Sequence, residues 1–333
     1  MARSKGLGNV SAESVGKGEL HSVQIDYEKT LVQNPNLTTE HLKEVLNAGY
    51  GVVSPEFAEV LRSAKKHKVY TDKMIDERHS AHQVTFGIFV GERTTKKGNH
   101  VIGKTLSAAM KPFGEPEHAV NEYLGYQVLQ RLGIETFQPV GVFPSRHHNN
   151  FVVVTKTRGD IIGLELDDWV KGMQPEKPGD VETLERNKQT VKEVAKILAW
   201  THINGVFLPD GQIKNFIATA SGQVGVIDTE NLKVKPIEHE DTEGLQGEDF
   251  TKLIRSFIGD PHDGKIFSID LFHGFSPDKL QYWTNELIIE PYTLALLQYT
   301  MEQGSSVMQA DRLDVSARDF LGRQGWSNQQ PAA

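Results

Sequence analysis

The spacing of apolar residues changes twice along this chain, and those changes constrain the fold more than any other feature. Between residues 83 and 158 the apolar residues fall in short extended runs, QVTFGIFVG, HVIGKTLSAAMKPF, FQPVGVF and FVVVTKT. One helical stretch, EPEHAVNEYLGYQVLQRLG, divides them, with Pro116 near its start and Gly133 at its stop. After Gly159 helical spacing takes over. TLERNKQTVKEVAKILAWTHING puts Val191, Val194, Ala195 and Leu198 on one face and ends at Gly205. Two short strands follow, NFIAT and QVGVID, joined by the turn ASG. Helices resume at EDFTKLIRSFIG, SPDKLQYWTNELI and PYTLALLQYTMEQG. Strands gathered in one half and helices in the other specify an α+β chain.

Ahead of residue 83 the signals are helical. LTTEHLKEVLNAG opens on a Thr cap and stops at Gly49, while SPEFAEVLRSAKKH has Ser54 as cap and Pro55 in its first turn. The predicted organisation is a disordered N-terminus over 1–18, a helical extension over 19–82, a small lobe over 83–158, a large helical lobe over 159–320 and a disordered tail over 321–333. The basic run KKHK at 65–68 reads as a solvated helix end.

Composition excludes several chemistries. The 333 residues include no cysteine, so disulfide scaffolds, thiolate zinc sites and cysteine nucleophiles are ruled out. A net charge of −8 argues against a dedicated nucleic-acid binder, whose phosphate contacts need a basic excess. The polar opening MARSKGLGNVSAESVGKGE has no apolar run suited to a signal peptide, and no stretch of about 18 apolar residues exists to span a bilayer. The expectation is a soluble, cytoplasmic protein. The thirteen histidines form no metal-binding spacing. His202, inside a helix, reads as a packed, hydrogen-bonded structural residue.

The chemistry concentrates in residues 205–231, GVFLPDGQIKNFIATASGQVGVIDTEN. Asp210 lies in a loop after a buried helix. Asn215 follows five residues later at the start of a strand, and Asp228 closes the next strand. Taken singly, Asp210 is a turn former in Pro-Asp-Gly and Asp228 a strand terminator. Together they supply what phosphoryl transfer needs: a carboxylate to orient the attacking hydroxyl, and oxygen ligands for magnesium.

This run resembles the protein-kinase-like superfamily, in which a helix leads to His-Arg-Asp, then Asn five residues on, then a hairpin ending in Asp-Phe-Gly. The resemblance implies Asp210 as catalytic base and Asn215 and Asp228 as metal ligands. Upstream, AAMKPF resembles the third-strand lysine motif and VNEYLGYQVLQRLGI the following helix with its glutamate. That implies Lys111 on the nucleotide phosphates, with Glu122 as its partner. FVVVTKTRGD resembles the strand and hinge that hold adenine through backbone groups, which implies Thr155, Lys156 and Thr157 at the nucleotide. The likeness covers residues 83–300. It implies a two-lobed fold, with a small β-rich lobe carrying one helix and a larger helical lobe, and ATP and Mg2+ between them. The implied partners are that nucleotide and a hydroxyl-bearing acceptor, protein or small molecule.

The departures narrow the family. Leu208-Pro209 stands in place of His-Arg, Thr229-Glu230 in place of Phe-Gly, and no multi-glycine loop occurs near 87–98. The form is nearer to aminoglycoside phosphotransferases, lipopolysaccharide kinases and bacterial toxin kinases, which phosphorylate different acceptors. A pseudokinase and a nucleotidyl transferase remain as alternatives. Lys104, in VIGKTL, rivals Lys111, which is preferred for its short step to Asn-Glu and Leu-Gly-Ile. A further alternative is a P-loop NTPase, because GNHVIGKT at 98–105 fits Gly-x4-Gly-Lys-Thr. That motif requires a strand before it and a helix after it. Asp249, in GEDFTKLIRSFIG, reads either as an anchor for the loop backbone or as a charge at a helix N-terminus.

Overall fold

The segment AAMKPF lies in the longest described strand of a seven-stranded sheet. A computed structural model describes residues 29–33, 38–62, 66–72, 85–94, 100–144, 151–156, 164–165, 181–218, 223–258, 282, 284–304 and 306–325. The chain divides into two compact units, Met1–Ile162 and Gly163–Ala333, a few residues beyond the predicted lobe boundary at 158.

The first unit contains strands β1 (Thr30–Val32), β2 (Gly51–Val53), β3 (Lys66–Asp72), β4 (Thr85–Thr94), β5 (His100–Phe113), β6 (Gln138–Pro144) and β7 (Phe151–Lys156). Their order across the sheet is β1-β2-β6-β7-β5-β4-β3. Among the described residues of this sheet only the β1–β2 pair is parallel. Helices α1 (Thr39–Asn47), α2 (Pro55–Arg62) and α3 (Pro116–Arg131) pack on this sheet.

The two helices before residue 83 start as their caps predict. Thr38 Oγ1 accepts from the His41 amide, and Ser54 Oγ accepts from the Phe57 amide. The stretch 19–82 is nevertheless not purely helical. It also contributes β1, β2 and β3, and the KKHK run enters a strand at Lys66. Two apolar clusters form in this unit. Phe57, Val60 and Leu61 of α2 pack with Leu106, Ala108 and Met110 of β5. Leu42 and Leu46 of α1 pack with Phe113, Val120, Tyr123 and Val153.

The second unit has a three-stranded sheet, β11-β10-β8, built from β8 (Leu164–Glu165), β10 (Phe216–Ala218) and β11 (Val224–Val226). Strands β9 (Val206–Phe207) and β12 (Lys233–Val234) form a separate pair. Its helices are α4 (Val181–Ile203), α5 (Thr242–Ile258), α6 (Glu290–Gln303) and α7 (Val307–Arg323). A π-helical turn over Asn285–Ile289 leads into α6. Val191, Val194, Ala195 and Leu198 are all buried, as the α4 spacing predicts. The predicted disordered tail is corrected at its start, because α7 runs through Leu321, which is fully buried. No helix among the described residues is long and apolar enough to cross a membrane.

Candidate active site

Gly205 ends α4 with φ 68, where only a residue without Cβ fits: a Cβ there would lie 2.3 Å from the Lys235 carbonyl oxygen. The chain then passes through β9 into the loop Leu208–Asn215. Gly211 brings this loop against α5, since a Cβ there would meet the carbonyl oxygens of Leu208 at 3.2 Å and Asp249 at 3.3 Å.

Asp210 is fixed by side-chain amides. Gln212 Nε2 donates to Asp210 Oδ1 at 2.6 Å, and Asn215 Nδ2 donates to Asp210 Oδ2 at 3.1 Å. Asn215 Nδ2 also donates to the Asp210 carbonyl at 2.6 Å. Both partners of Nδ2 are acceptors, so the amide orientation is determined and Oδ1 remains as its acceptor end. Each carboxylate oxygen of Asp210 keeps a lone pair for a further donor.

The β10–β11 hairpin brings the third residue to the same place. Phe216 pairs with Val226, and the Ile227 amide donates to the Asn215 carbonyl at 2.8 Å. Asp228 comes next, with φ 60, in the left-handed region that Asp tolerates better than most residues. Asp210, Asn215 and Asp228 line one small pocket, together with Asn231. Among the described residues no group of three or more His, Asp or Glu is placed to hold a metal ion. The pocket set is different in kind, two carboxylates and one amide oxygen. These are hard oxygen donors, which suit Mg2+ better than a soft metal.

Beneath the loop is a buried carboxylate. Asp249 Oδ2 accepts from the Leu208 amide at 2.8 Å and contacts His202 Nε2 at 2.8 Å. Of its two sequence readings the anchor is the one observed, because Asp249 lies in the middle of α5 and not at its N-terminus. Burial pushes its carboxyl above the usual carboxylate range, opposed by the His202 contact and the Leu208 amide. His202 is fully buried and stacks on Phe207, with ring centroids 5.1 Å apart.

In the first unit Lys111 Nζ lies 3.2 Å from Glu122 Oε1, and the side chains are 13% and 0% exposed. Lys111 alternates with Phe113 along β5, so both face α3, and Nζ sits 4.9 Å from the Phe113 ring centroid. Tyr126 O–H donates to the same Glu122 oxygen at 2.6 Å. Sequence reasoning missed Tyr126, although its place four residues after Glu122 puts it on the same helix face. It also missed Gln212, for which a loop position two residues from Asp210 carries no periodic signal.

Two of the three residues expected at the nucleotide, Thr155 and Lys156, lie at the end of β7. β7 lies between β5 and β6, in register with both at Thr155 and Lys156. Thr155 is buried, and its hydroxyl donates to the Ala109 carbonyl at 3.5 Å. Lys156 Nζ pairs with Glu56 at 2.7 Å. Thr157 lies outside the described residues. The P-loop alternative is overturned: residues 100–113 form one strand, so no helix follows Gly103-Lys104-Thr105. Lys104 sits in that strand, seven residues before Lys111.

No family profile matches the chain, and no curated protein matches it at a significant level. Among solved structures the chain is similar to one described as WaaP in complex with acyl carrier protein, at 15% identity and a TM-score of 0.39. The likeness covers 87% of this chain and 98% of that one. At that score it carries no argument about fold or activity.

Proposed function

We propose that the chain is a protein-kinase-like phosphotransferase that moves the γ-phosphoryl group of ATP to an acceptor hydroxyl. The observation that carries this reading is the Asp210 carboxylate, held by the amides of Gln212 and Asn215 in a pocket that Asp228 also lines. Asp210 is clamped on two sides and retains acceptor capacity, which is what aligning a hydroxyl requires. Asn215 Oδ1 and the Asp228 carboxylate are the groups that would hold Mg2+, whose charge offsets that of the phosphates. The Lys111–Glu122 pair supports the same reading, because a lysine fixed by a buried carboxylate is a preoriented phosphate ligand.

In the proposed step the acceptor oxygen forms a bond to the γ-phosphorus as the bond to the β-bridging oxygen breaks. ADP leaves, and the hydroxyl proton passes to Asp210 and on to solvent. Incubation with γ-labelled ATP, alone and with cell lysate, tests this, and α-labelled ATP separates nucleotidyl transfer. Asp210→Ala and Asp228→Ala should each lower label transfer by at least about 100-fold, in line with the loss of a general base or a metal ligand. Asp228→Ala should also weaken Mg2+-dependent ATP binding. Full transfer in either variant would sink the assignment. ATP binding without transfer in the wild type would favour the pseudokinase reading.

A further inference from the structure

The Asp249 anchor is itself held by a longer chain of buried groups, and three of its members have no place in the site described above. His202 Nδ1 lies 2.8 Å from the Tyr292 hydroxyl on α6. Gln246 Nε2, on α5, donates to that hydroxyl at 2.9 Å and to the Leu313 carbonyl of α7 at 2.8 Å. His202, Tyr292, Gln246 and Asp249 are each at most 1% exposed.

Donor counting gives this chain one direction. The Leu313 carbonyl can only accept, so the amide nitrogen of Gln246 faces it, and the second N–H of that nitrogen goes to Tyr292. The Tyr292 oxygen, already accepting from Gln246, directs its own O–H to His202 Nδ1. Burial pushes the Tyr292 hydroxyl well above its ordinary range, so it keeps that proton. His202 then carries its hydrogen on Nε2 and donates it to Asp249 Oδ2, the oxygen that receives the Leu208 amide. Asp249 Oδ1 is buried and has no hydrogen-bond partner among the described residues, so within them the carboxylate is oriented through Oδ2 alone. Its orientation therefore depends on the His202 tautomer, and the tautomer depends on Tyr292.

We infer that Tyr292, backed by Gln246, is a positioning residue for the Asp210 loop, acting through the His202 tautomer and the Asp249 carboxylate. Leu208 is two residues from Asp210, so a shift of that carboxylate reaches the loop through the Leu208 amide, while Gly211 holds the loop against the Asp249 main chain. The catalytic consequence rests on the phosphotransferase reading, whereas the tautomer and loop consequences do not.

The test is Tyr292→Phe in the full chain, which keeps the ring and removes the O–H. Two readouts are independent of turnover. Ring 15N shifts of His202 should report the Nε2–H tautomer in the wild type and its loss in the variant. Hydrogen exchange of the Leu208 amide should become at least about 10-fold faster, as its acceptor loosens. Where the wild type transfers phosphate, kcat should drop about 10-fold with the KM for ATP within about two-fold, since a displaced base alters the transition state more than nucleotide binding. Val191→Ala, a buried change three turns of α4 before His202, controls for general destabilisation and should leave all three readouts unchanged. An unaltered His202 tautomer or unaltered Leu208 exchange in Tyr292→Phe overturns the inference. An inactive wild type in which both signals change overturns the function and supports the positioning role.

Discussion

At the scale of single residues, the first unit depends on a charge that it cannot leave alone. Glu122 is fully buried and shares one oxygen between Lys111 and Tyr126. Removing the cation leaves a carboxylate in an apolar setting beside Phe113, whereas removing the anion leaves a lysine that still reaches solvent. Lys111→Met should therefore cost about 3 kcal/mol of stability, in the range for breaking a buried pair, and Glu122→Gln about 1 kcal/mol, near one hydrogen bond. The double variant should recover part of the sum, because the two side chains are coupled. Urea denaturation of the three variants measures this, and equal single-variant losses would contradict it. The pair was expected from the resemblance of AAMKPF and the helix after it to a family motif, and no motif pointed to Tyr292. Lys111 and Glu122 lie 11 residues apart on adjoining elements, while Tyr292 meets His202 across 90 residues.

At the scale of elements, the stop signals carry as much as the periods. Gly205 closes α4, and its carbonyl accepts from the Lys235 amide at 2.8 Å, joining the helix end to the β9–β12 pair ahead of the Asp210 loop. Gly205→Ala combines a left-handed φ with a clash against fixed backbone. It should destabilise by roughly 2 kcal/mol, of which about 1–2 kcal/mol is the conformational term, and a lowered thermal midpoint would register it. Such glycines, with the Thr38 and Ser54 caps, made the helices readable because their causes are local. The strands that the sequence reading missed have distant causes. Thr30–Val32 and Gly51–Val53 are three residues each, too short for a period, and they become strands because β6 offers an edge to β2 and β2 in turn offers one to β1. Lys66–Asp72 is mostly polar and pairs with β4 beyond it. α7 is a different case, since Ala310, Leu313, Ala317 and Leu321 repeat at helical spacing and all four are buried. That signal was present in the sequence; the polar residues between hid it, so no separate helix was read there and its last turn, from Leu321, was assigned to the tail.

At the scale of the whole molecule, the stretch before residue 83 changes its meaning. Read from sequence it is an extension outside the small lobe. In the structure it supplies three of seven strands and two helices that cover the sheet. The Val52–Val142 pairing joins β2 to β6, and β6 lies beside the strand that neighbours the Lys111 strand. Deleting residues 1–82 would uncover Leu106, Met110 and Phe143 where α2 packs, and Phe113 and Val153 where α1 packs. Each such side chain contributes about 1.5–3 kcal/mol through burial, so their joint exposure is comparable to the net stability of an ordinary domain of about 5–15 kcal/mol. The truncated chain should lose the cooperative unfolding transition of the first unit and bind an apolar dye. Deleting only residues 1–28 leaves every packed side chain named here in place and should preserve that transition. A truncation at 82 that still unfolds cooperatively, with Glu122 protected from solvent, would restore the extension to an accessory role. It would also mean that the Lys111–Glu122 pair needs only the strands that follow it.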